Sequence, residues 1–236
     1  MKYKILITND DSLKYEGIKV LTEYAKEFAS EIMVVAPHTE KSACSHALTL
    51  RSEIRLYEEA DLVPGVKTYT IDGTPADCVK FAKDALKYDF DIVFSGINDG
   101  FNMGDDINYS GTANAALEAE FHGKKGIAFS CKYHNLESSR YIPEVLNHLF
   151  NSELFNKADV FNINFPENVK GMKFTKQGKR AFNGTYYLVG ENLYRTTVAS
   201  TTDSYLYRDE KEGTDYGAVD EGYISITPLT NNLNIR

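Results

Sequence analysis

The stretch Lys4-Ile-Leu-Ile-Thr-Asn9-Asp10-Asp11 decides the fold class. Its apolar centre predicts a strand that is buried on both faces of a parallel sheet. Asn9, Asp10 and Asp11 follow at once, and open α/β sheets bind ligands beyond the carboxyl ends of their strands. Adjacent carboxylates repel each other, so a hard divalent cation with oxygen ligands is their natural partner. An Asx-turn followed by a helix N-cap is the simpler interpretation, but it accounts for one Asp more easily than for all three residues.

The composition is that of an ordinary soluble protein. The chain has 236 residues, 42% hydrophobic and 25% charged, which is enough for one α/β domain with its own core. The net charge of −8 argues against binding to a nucleic-acid polymer, because that affinity comes from neutralising phosphates. Three widely spaced cysteines argue against a disulfide framework or a zinc site. With no apolar leader or membrane-length run, we expect a cytoplasmic protein without membrane contact.

Alternating strand and helix patterns continue from the first strand. Helical spacing over residues 16–28 and an apolar run at 32–36 complete a β-α-β unit. We therefore predict a Rossmann-like, doubly wound and mostly parallel sheet. The further strands are predicted at 48–56, 67–71, 91–98, 126–130, 160–164 and 222–228, and the further helices from Thr74 to about 88, from Ser110 to 120 and over 141–150.

The pattern changes near residue 170. Residues 173–199 alternate and are aromatic, with turn signals at Asn183-Gly184 and Gly190-Glu-Asn192, which predicts a projecting C-terminal β-hairpin. Residues 203–220 are predicted to form a surface loop. We expect a single α/β domain over 1–236, with a core over about 1–170 and the hairpin and C-terminal extension over about 171–236. The hairpin rings either form an assembly surface or pack on the protein's own core; they are Phe182, Tyr186, Tyr187 and Tyr194.

Two later segments add candidate site residues. The loop after the second strand offers Lys41 as a phosphate anchor and His46 as a proton donor, although a hydrogen-bonded loop histidine is an equal alternative. Ser110-Gly111-Thr112 begins a helix, where free N–H groups and hydroxyls suit an anion, and an ordinary Ser or Thr cap is the alternative. The segment has no Gly-Lys-Ser/Thr, so it is not a P-loop, and the absence of Gly-x-Gly-x-x-Gly disfavours a dinucleotide oxidoreductase.

Six polar segments together resemble a known family. In chain order they are Asn9-Asp10-Asp11, Ala36-Pro37 with Lys41-Ser42, Gly73-Thr-Pro-Ala-Asp77-Cys, Ser95-Gly-Ile-Asn98, Asn102-Met-Gly104 and Ser110-Gly-Thr112, and a seventh, Glu221-Gly-Tyr-Ile-Ser-Ile-Thr-Pro228, follows. The set is similar to the survival protein E (SurE) family of metal-dependent 5′-nucleotidases and acid phosphatases. The resemblance covers nearly the whole chain.

The resemblance implies an activity and a set of site residues. It implies a 5′-nucleotidase that hydrolyses nucleoside 5′-monophosphates with one divalent ion, Mg²⁺ or Mn²⁺, per subunit. It also implies a homodimer or homotetramer in which the hairpin is exchanged. The implied metal ligands are Asp10, Asp11, Ser42 and Asn98, and the implied phosphate-binding residues are Asn9, Gly96, Asn98, Ser110, Gly111 and Thr112.

The chain departs from the family pattern at a few positions. Ser12 stands where the family commonly has glycine, His38 where it has aspartate, Lys41 where it has arginine, and Phe101 where it has proline. None of these changes removes a proposed ligand, so they bear on substrate selection more than on the chemistry.

Water is the expected nucleophile, with Asp10 or Asp11 as general base and Asn9 beside them in the catalytic set. Two alternatives remain. In an aspartyl-phosphate phosphatase, an Asp attacks phosphorus directly. A non-catalytic nucleotide-binding protein would use the same residues without turnover.

Overall fold

The predicted first strand lies in the middle of a large, mostly parallel sheet. The computed structural model describes residues 2–196 and 205–232. Within these ranges the strands are β1 (Tyr3–Thr8), β2 (Ala29–Pro37), β3 (Leu56–Glu59), β4 (Lys67–Ile71), β5 (Ile92–Asp99), β6 (Lys125–Cys131), β7 (Val160–Phe165), β8 (Gly171–Phe174), β9 (Arg180–Phe182), β10 (Tyr186–Gly190), β11 (Leu193–Thr196), β12 (Tyr205–Tyr207) and β13 (Tyr223–Leu229). Nine of these described strands form one sheet in the order β3-β4-β2-β1-β5-β6-β7-β13-β8.

Most neighbours in this sheet run parallel. The strands β4, β2, β1, β5, β6 and β7 pair in parallel with one another. The exceptions are β3, which is antiparallel to β4, and β13, which is antiparallel to β7. Because β8 and β13 belong to this sheet, it includes residues from the predicted C-terminal extension.

Helices cover both faces of the sheet. They are α1 (Glu16–Ala25), α2 (Pro75–Asp84), α3 (Gly111–Phe121), α4 (Ile142–Phe150), α5 (Glu153–Lys157) and α6 (Asp215–Asp220), with 3-10 helices at Gly104–Asn108 and Glu137–Tyr141. Ile5 and Ile7 face a cluster with residues of α1, α4 and α5, whereas Leu6 faces a second cluster with residues of α2 and α3. This alternation places helices on both sides of β1 and confirms the predicted doubly wound architecture. No helix in the described part of the chain is long and apolar enough to span a membrane.

The predicted strand at 48–56 is wrong. The strand in this region is β3 (Leu56–Glu59), which begins at the end of the predicted run. The backbone N–H of Thr49 donates to Asp77 Oδ1 at 3.0 Å, and its hydroxyl donates to Asp77 Oδ2 at 2.7 Å. The Asp77 side chain of α2 therefore holds the segment around Thr49, and this segment does not pair with a neighbouring strand.

The predicted C-terminal hairpin is shorter than expected. β10 and β11 form an antiparallel pair whose side chains are exposed, with the turn at the predicted Gly190-Glu-Asn192. β9 pairs with β12, so Asn183-Gly184 does not close a hairpin. Residues 197–199 of the predicted hairpin lie outside the described residues.

The surface loop predicted at 203–220 is also wrong over most of its length. Residues 203 and 204 are outside the described part, but β12 and α6 follow. Tyr216 is fully buried, and the buried carboxylate of Asp215 accepts N–H bonds from Gly104 and Gly178. Polar composition hid this helix because its buried acidic group is satisfied by backbone donors.

Candidate active site

The candidate site lies where β1, β2 and β5 end and α3 begins. A cavity of about 670 Å³ opens there, which is within the usual size range of small-molecule sites. It brings together the four predicted metal ligands Asp10, Asp11, Ser42 and Asn98. Two predicted phosphate-binding residues also line it, Ser110 and Asn98, the latter being predicted for both roles. Its other lining residues are Ala43, Asp99, Phe101, Asn102, Asp106, Tyr109, Phe182, Thr196 and Tyr205.

Asp10 is the buried carboxylate of the site. Its side chain accepts a short hydrogen bond from the hydroxyl of Thr112, and its backbone carbonyl accepts the N–H of Lys41 at 2.8 Å. Burial raises the pKa of this carboxyl above its ordinary value, although the Thr112 hydrogen bond opposes the shift. Asp10 is therefore fixed by contacts from α3 and from the loop after β2.

Asp11 is less buried and lies next to other negative charges. Burial and the charge of Asp10 raise its pKa to about 7, and Asp99 and Glu40 add to the repulsion. The N–H of Asp99 donates to Asp11 Oδ2 at 3.2 Å and partly offsets these effects. The arrangement would be stabilised by a cation between the carboxylates.

Ser42 and Asn98 add neutral oxygen atoms to the cavity. Ser42 is exposed, and its hydroxyl donates to Glu40 Oε1 at 2.6 Å. The Asn98 side-chain N–H donates to the Gly100 carbonyl at 2.7 Å, which orients the amide so that its oxygen lies 3.2 Å from the Thr112 hydroxyl. Because the hydroxyl hydrogen of Ser42 and the amide N–H of Asn98 are used as donors, the oxygen atom of each side chain is the available ligand.

The donor set fits a hard divalent ion. No group of three or more His, Cys, Asp or Glu that could hold a metal occurs among residues 2–196 and 205–232. The candidate ligands are instead two carboxylates, one hydroxyl and one amide oxygen, all lining one cavity. Oxygen ligands of this kind suit Mg²⁺ or Mn²⁺ and do not suit soft metals.

The start of α3 approaches the carboxylates closely. Ser110 is the N-cap, and its hydroxyl oxygen accepts the N–H of Ala113. A Cβ atom at Gly111 would lie 2.9 Å from Asp10 Cβ and 2.9 Å from Cys44 Sγ, so only glycine fits there. The first turn of α3, which carries the positive end of the helix dipole, therefore packs against Asp10 beside the cavity.

Asn9 and Gly96 are not among the described lining residues of the cavity. Asn9 is fully buried and donates to the Ser12 carbonyl at 2.8 Å, while its Oδ1 has no hydrogen-bond partner among the described residues. Gly96 has φ +135°, and a Cβ atom there would lie 2.4 Å from the Phe129 carbonyl oxygen. Close packing between β5 and β6 thus accounts for this glycine.

Lys41 and His46 contact other parts of the site region. Lys41 contacts Asp10 through its backbone, and its side chain is absent from the described lining of the cavity. His46 Nε2 lies 2.8 Å from Glu118 Oε2, and His122 Nε2 lies 3.1 Å from Glu118 Oε1. The two histidines and the buried Glu118 join the loop after β2 to α3.

Several residues of the site were not predicted from the sequence. Asp99 contacts Asp11 and also binds His134, whose Nδ1 lies 3.0 Å from Asp99 Oδ2. The position of Asp99 directly after Asn98, in a polar turn, could have identified it as a site residue. The rings of Phe101, Tyr109, Phe182 and Tyr205 also line the cavity. They come from separated segments, so no local pattern in the sequence brings them together.

Comparisons with known proteins agree on one family. The family model described as "Survival protein SurE" matches residues 5–184. A protein of Campylobacter jejuni named "5'-nucleotidase SurE" is 38% identical over 98% of this chain and 92% of its own length. A protein of the same name from Thermoanaerobacter is 40% identical, over 98% of this chain and 93% of its own.

A solved structure supports the same assignment. The SurE protein of Aquifex aeolicus superimposes with a TM-score of 0.80 at 33% identity, and the match covers 98% of this chain and 94% of that one. Fold, strand-end residues and sequence similarity over nearly the whole chain lead to one conclusion: this chain belongs to the survival protein SurE family.

Proposed function

We propose that this protein is a metal-dependent phosphomonoesterase that hydrolyses nucleoside 5′-monophosphates to nucleoside and phosphate. The observation that carries the proposal is the pair Asp10 and Asp11, held against the start of α3 with further negative charge around it. Two adjacent carboxylates favour a bound cation, and the N-terminus of α3 beside them favours a bound anion. The relatives named 5′-nucleotidase support the choice of substrate class.

The chain's own residues divide into two groups in this mechanism. Asp10, Asp11, Ser42 and Asn98 hold one Mg²⁺ or Mn²⁺ per subunit. That ion supplies charge neutralisation and Lewis-acid activation when bound. Ser110, Gly111 and Thr112 present the helix N-terminus to the phosphate oxygens.

Asp11 is the better candidate for the general base. Asp10 is fixed by Thr112 and is 5% exposed, whereas Asp11 is less buried and also lines a second cavity of about 520 Å³. Asp11 takes a proton from the attacking water, a new P–O bond forms, and the bond to the nucleoside 5′-oxygen breaks. That oxygen takes a proton from solvent water and leaves as the nucleoside alcohol, and Asp11 returns its own proton to solvent.

Two other functions compete with this proposal. In an aspartyl-phosphate phosphatase, one Asp would attack phosphorus directly. Asp10 is poorly suited to that role because Thr112 already donates to its Oδ1. A phosphoenzyme trapped in acid would select this alternative. A nucleotide-binding protein without catalysis would bind nucleotide and release no phosphate.

The deciding experiment measures phosphate release from a panel of nucleoside monophosphates. The protein is first treated with a chelator and then supplied with Mg²⁺ or Mn²⁺. We expect release only after metal is restored, and loss of release in Asp10→Asn. Asp84→Asn is the matched control, because Asp84 is a surface residue paired with Lys80. No release with any metal or nucleotide would refute the proposal.

We also propose that the β10–β11 hairpin is exchanged between subunits of a homodimer or homotetramer. Its apolar side chains are largely exposed: Tyr186 is 78% and Leu188 60% exposed. Exposed apolar patches of this kind commonly mark protein interfaces.

A further inference from the structure

Four aromatic rings line the cavity that contains the candidate metal ligands. They belong to Phe101, Tyr109, Phe182 and Tyr205. Neither the metal ligands nor the helix start requires such rings, because the metal ligands would bind a cation and the helix start would bind phosphate oxygens. The cavity lining therefore combines charged groups with these four rings, here called the aromatic wall, and this combination suits a ligand with a phosphate and a planar group.

One side of the aromatic wall is held in place by its neighbours. Phe182 and Tyr205 are paired across β9 and β12, with ring centroids 6.2 Å apart. The guanidinium of Arg180 lies 4.1 Å from the Tyr205 ring centroid and donates to Asp106 Oδ2 at 2.7 Å. Because Arg180 is 6% exposed, this ion pair and cation–π contact hold the Tyr205 ring in place.

The other side of the wall adjoins the proposed phosphate site. Tyr109 immediately precedes Ser110, the N-cap of α3, and its side chain is 62% exposed. Phe101 follows Asn98 by three residues in the turn after β5. A phosphate at the start of α3 would thus leave the remainder of the ligand next to these rings.

We propose that these rings bind the nucleobase of the substrate by stacking, an inference that rests on the proposed function. Stacking on aromatic side chains tolerates any base, because every base has a π-face. The site should therefore accept purines and pyrimidines and select nucleotides over aliphatic phosphate esters.

The test measures base binding and turnover separately. Adenosine, which lacks phosphate, is titrated into the protein by calorimetry, and the KM is measured for adenosine 5′-monophosphate and for glycerol 2-phosphate. Tyr109→Ala and Phe182→Ala should each weaken adenosine binding by roughly 5- to 150-fold and raise the nucleotide KM in parallel. The KM for glycerol 2-phosphate should change by less than about twofold, since that ester has no ring to stack.

Two control variants separate stacking from general damage. Tyr109→Phe keeps the ring and should bind adenosine like the wild type. Phe174→Ala removes a 41% exposed ring that packs against His148 and is not part of the cavity lining, so it should leave adenosine binding unchanged.

The outcomes distinguish this inference from the proposed function. Hydrolysis of glycerol 2-phosphate together with unchanged adenosine binding in both ring variants would overturn the inference and leave the esterase. Absence of adenosine binding to the wild type would also overturn it. Ring-dependent adenosine binding without any phosphate release would support the aromatic site and refute the esterase.

Discussion

Thr112 donates its hydroxyl hydrogen to Asp10, 102 residues earlier in the chain. The same hydroxyl lies 3.2 Å from Asn98 Oδ1. One side chain at the start of α3 therefore contacts residues that follow β1 and end β5. In the proposed mechanism it positions two metal ligands at once.

Removal of the Thr112 hydroxyl should weaken metal binding. Thr112→Val keeps the shape of the side chain and loses the donor to Asp10. Residues that orient metal ligands usually contribute 10- to 100-fold, so we expect losses of about that size in metal affinity and in kcat/KM. Calorimetric metal titration and phosphate release measure the two effects. Thr112→Ser should restore both, and a Thr112→Val protein with wild-type metal affinity would contradict this role.

Gly111→Ala should impair the site more than it impairs the fold. The added Cβ would lie 2.9 Å from Asp10 Cβ and from Cys44 Sγ, so the carboxylate must move. We expect a loss of at least about tenfold in kcat/KM, because ligand placement within fractions of an ångström governs such sites. Gly190→Ala is the control, since its Cβ would meet only Leu193 at 3.6 Å. Equal activity of the two variants would argue against close packing at the helix start.

The metal-free protein should become less stable as pH rises. The pKa of Asp11 is raised from 3.8 to about 7, so the folded state holds its proton more tightly than the unfolded state. Below the unfolded-state pKa, Asp11 is protonated in both states and does not change the stability. The loss of stability from ionising Asp11 grows between about pH 4 and 7 and is complete above that range.

Asp11→Asn tests this pH effect directly. At pH 8 and without metal, the variant should be more stable by about 1–2 kcal/mol, after discounting for the partial exposure of Asp11. This corresponds to an increase of about 2–8 °C in Tm. At pH 4 the difference should vanish, and added Mg²⁺ should stabilise the wild type but not the variant. Calorimetric thermal unfolding of both proteins, at each pH and with or without Mg²⁺, measures these differences. A gain in stability that is equal at both pH values would contradict the explanation.

The exposed hairpin should control the oligomeric state. Leu188 and Tyr194 are cross-strand partners on β10 and β11, and they are 60% and 61% exposed. Leu188→Asp combined with Tyr194→Asp should reduce the mass in solution to that of a monomer, because charges disrupt an apolar interface. Light scattering during size-exclusion chromatography measures the mass. Leu50→Asp, at an 83% exposed position outside the hairpin, should leave it unchanged; a monomeric wild type would refute the exchange.

The site residues at the strand ends were predictable from the sequence, whereas contacts between distant segments of the chain were not. Asp10, Asp11 and Asn98 follow apolar runs, and the parallel topology brings the ends of such runs together. The aromatic wall combines Tyr109 with Phe182 from β9, which pairs with a strand that was predicted as loop. Local periodicity carries no information about such pairings. Only the assembled fold shows which rings share the cavity.

His46 provides the clearest contrast between a local and a tertiary interpretation. A histidine in a site loop suggests a proton donor, but its Nε2 lies 2.8 Å from Glu118, which is 72 residues later and 4% exposed. We therefore expect His46 to position the loop that carries Ser42. His46→Ala should lower stability by about 1–3 kcal/mol, because it removes one partner of a buried carboxylate.

The pH dependence of kcat separates the two roles of His46. A proton donor would lose its alkaline limb in His46→Ala, whereas a positioning residue would lower kcat across the whole range and leave the shape unchanged. His46→Gln, which can still donate to Glu118, should recover stability and most of kcat if the residue only positions the loop. His148→Ala serves as the control, since that ring stacks on Phe174 away from the cavity. Loss of the alkaline limb in both His46→Ala and His46→Gln would restore the proton-donor role.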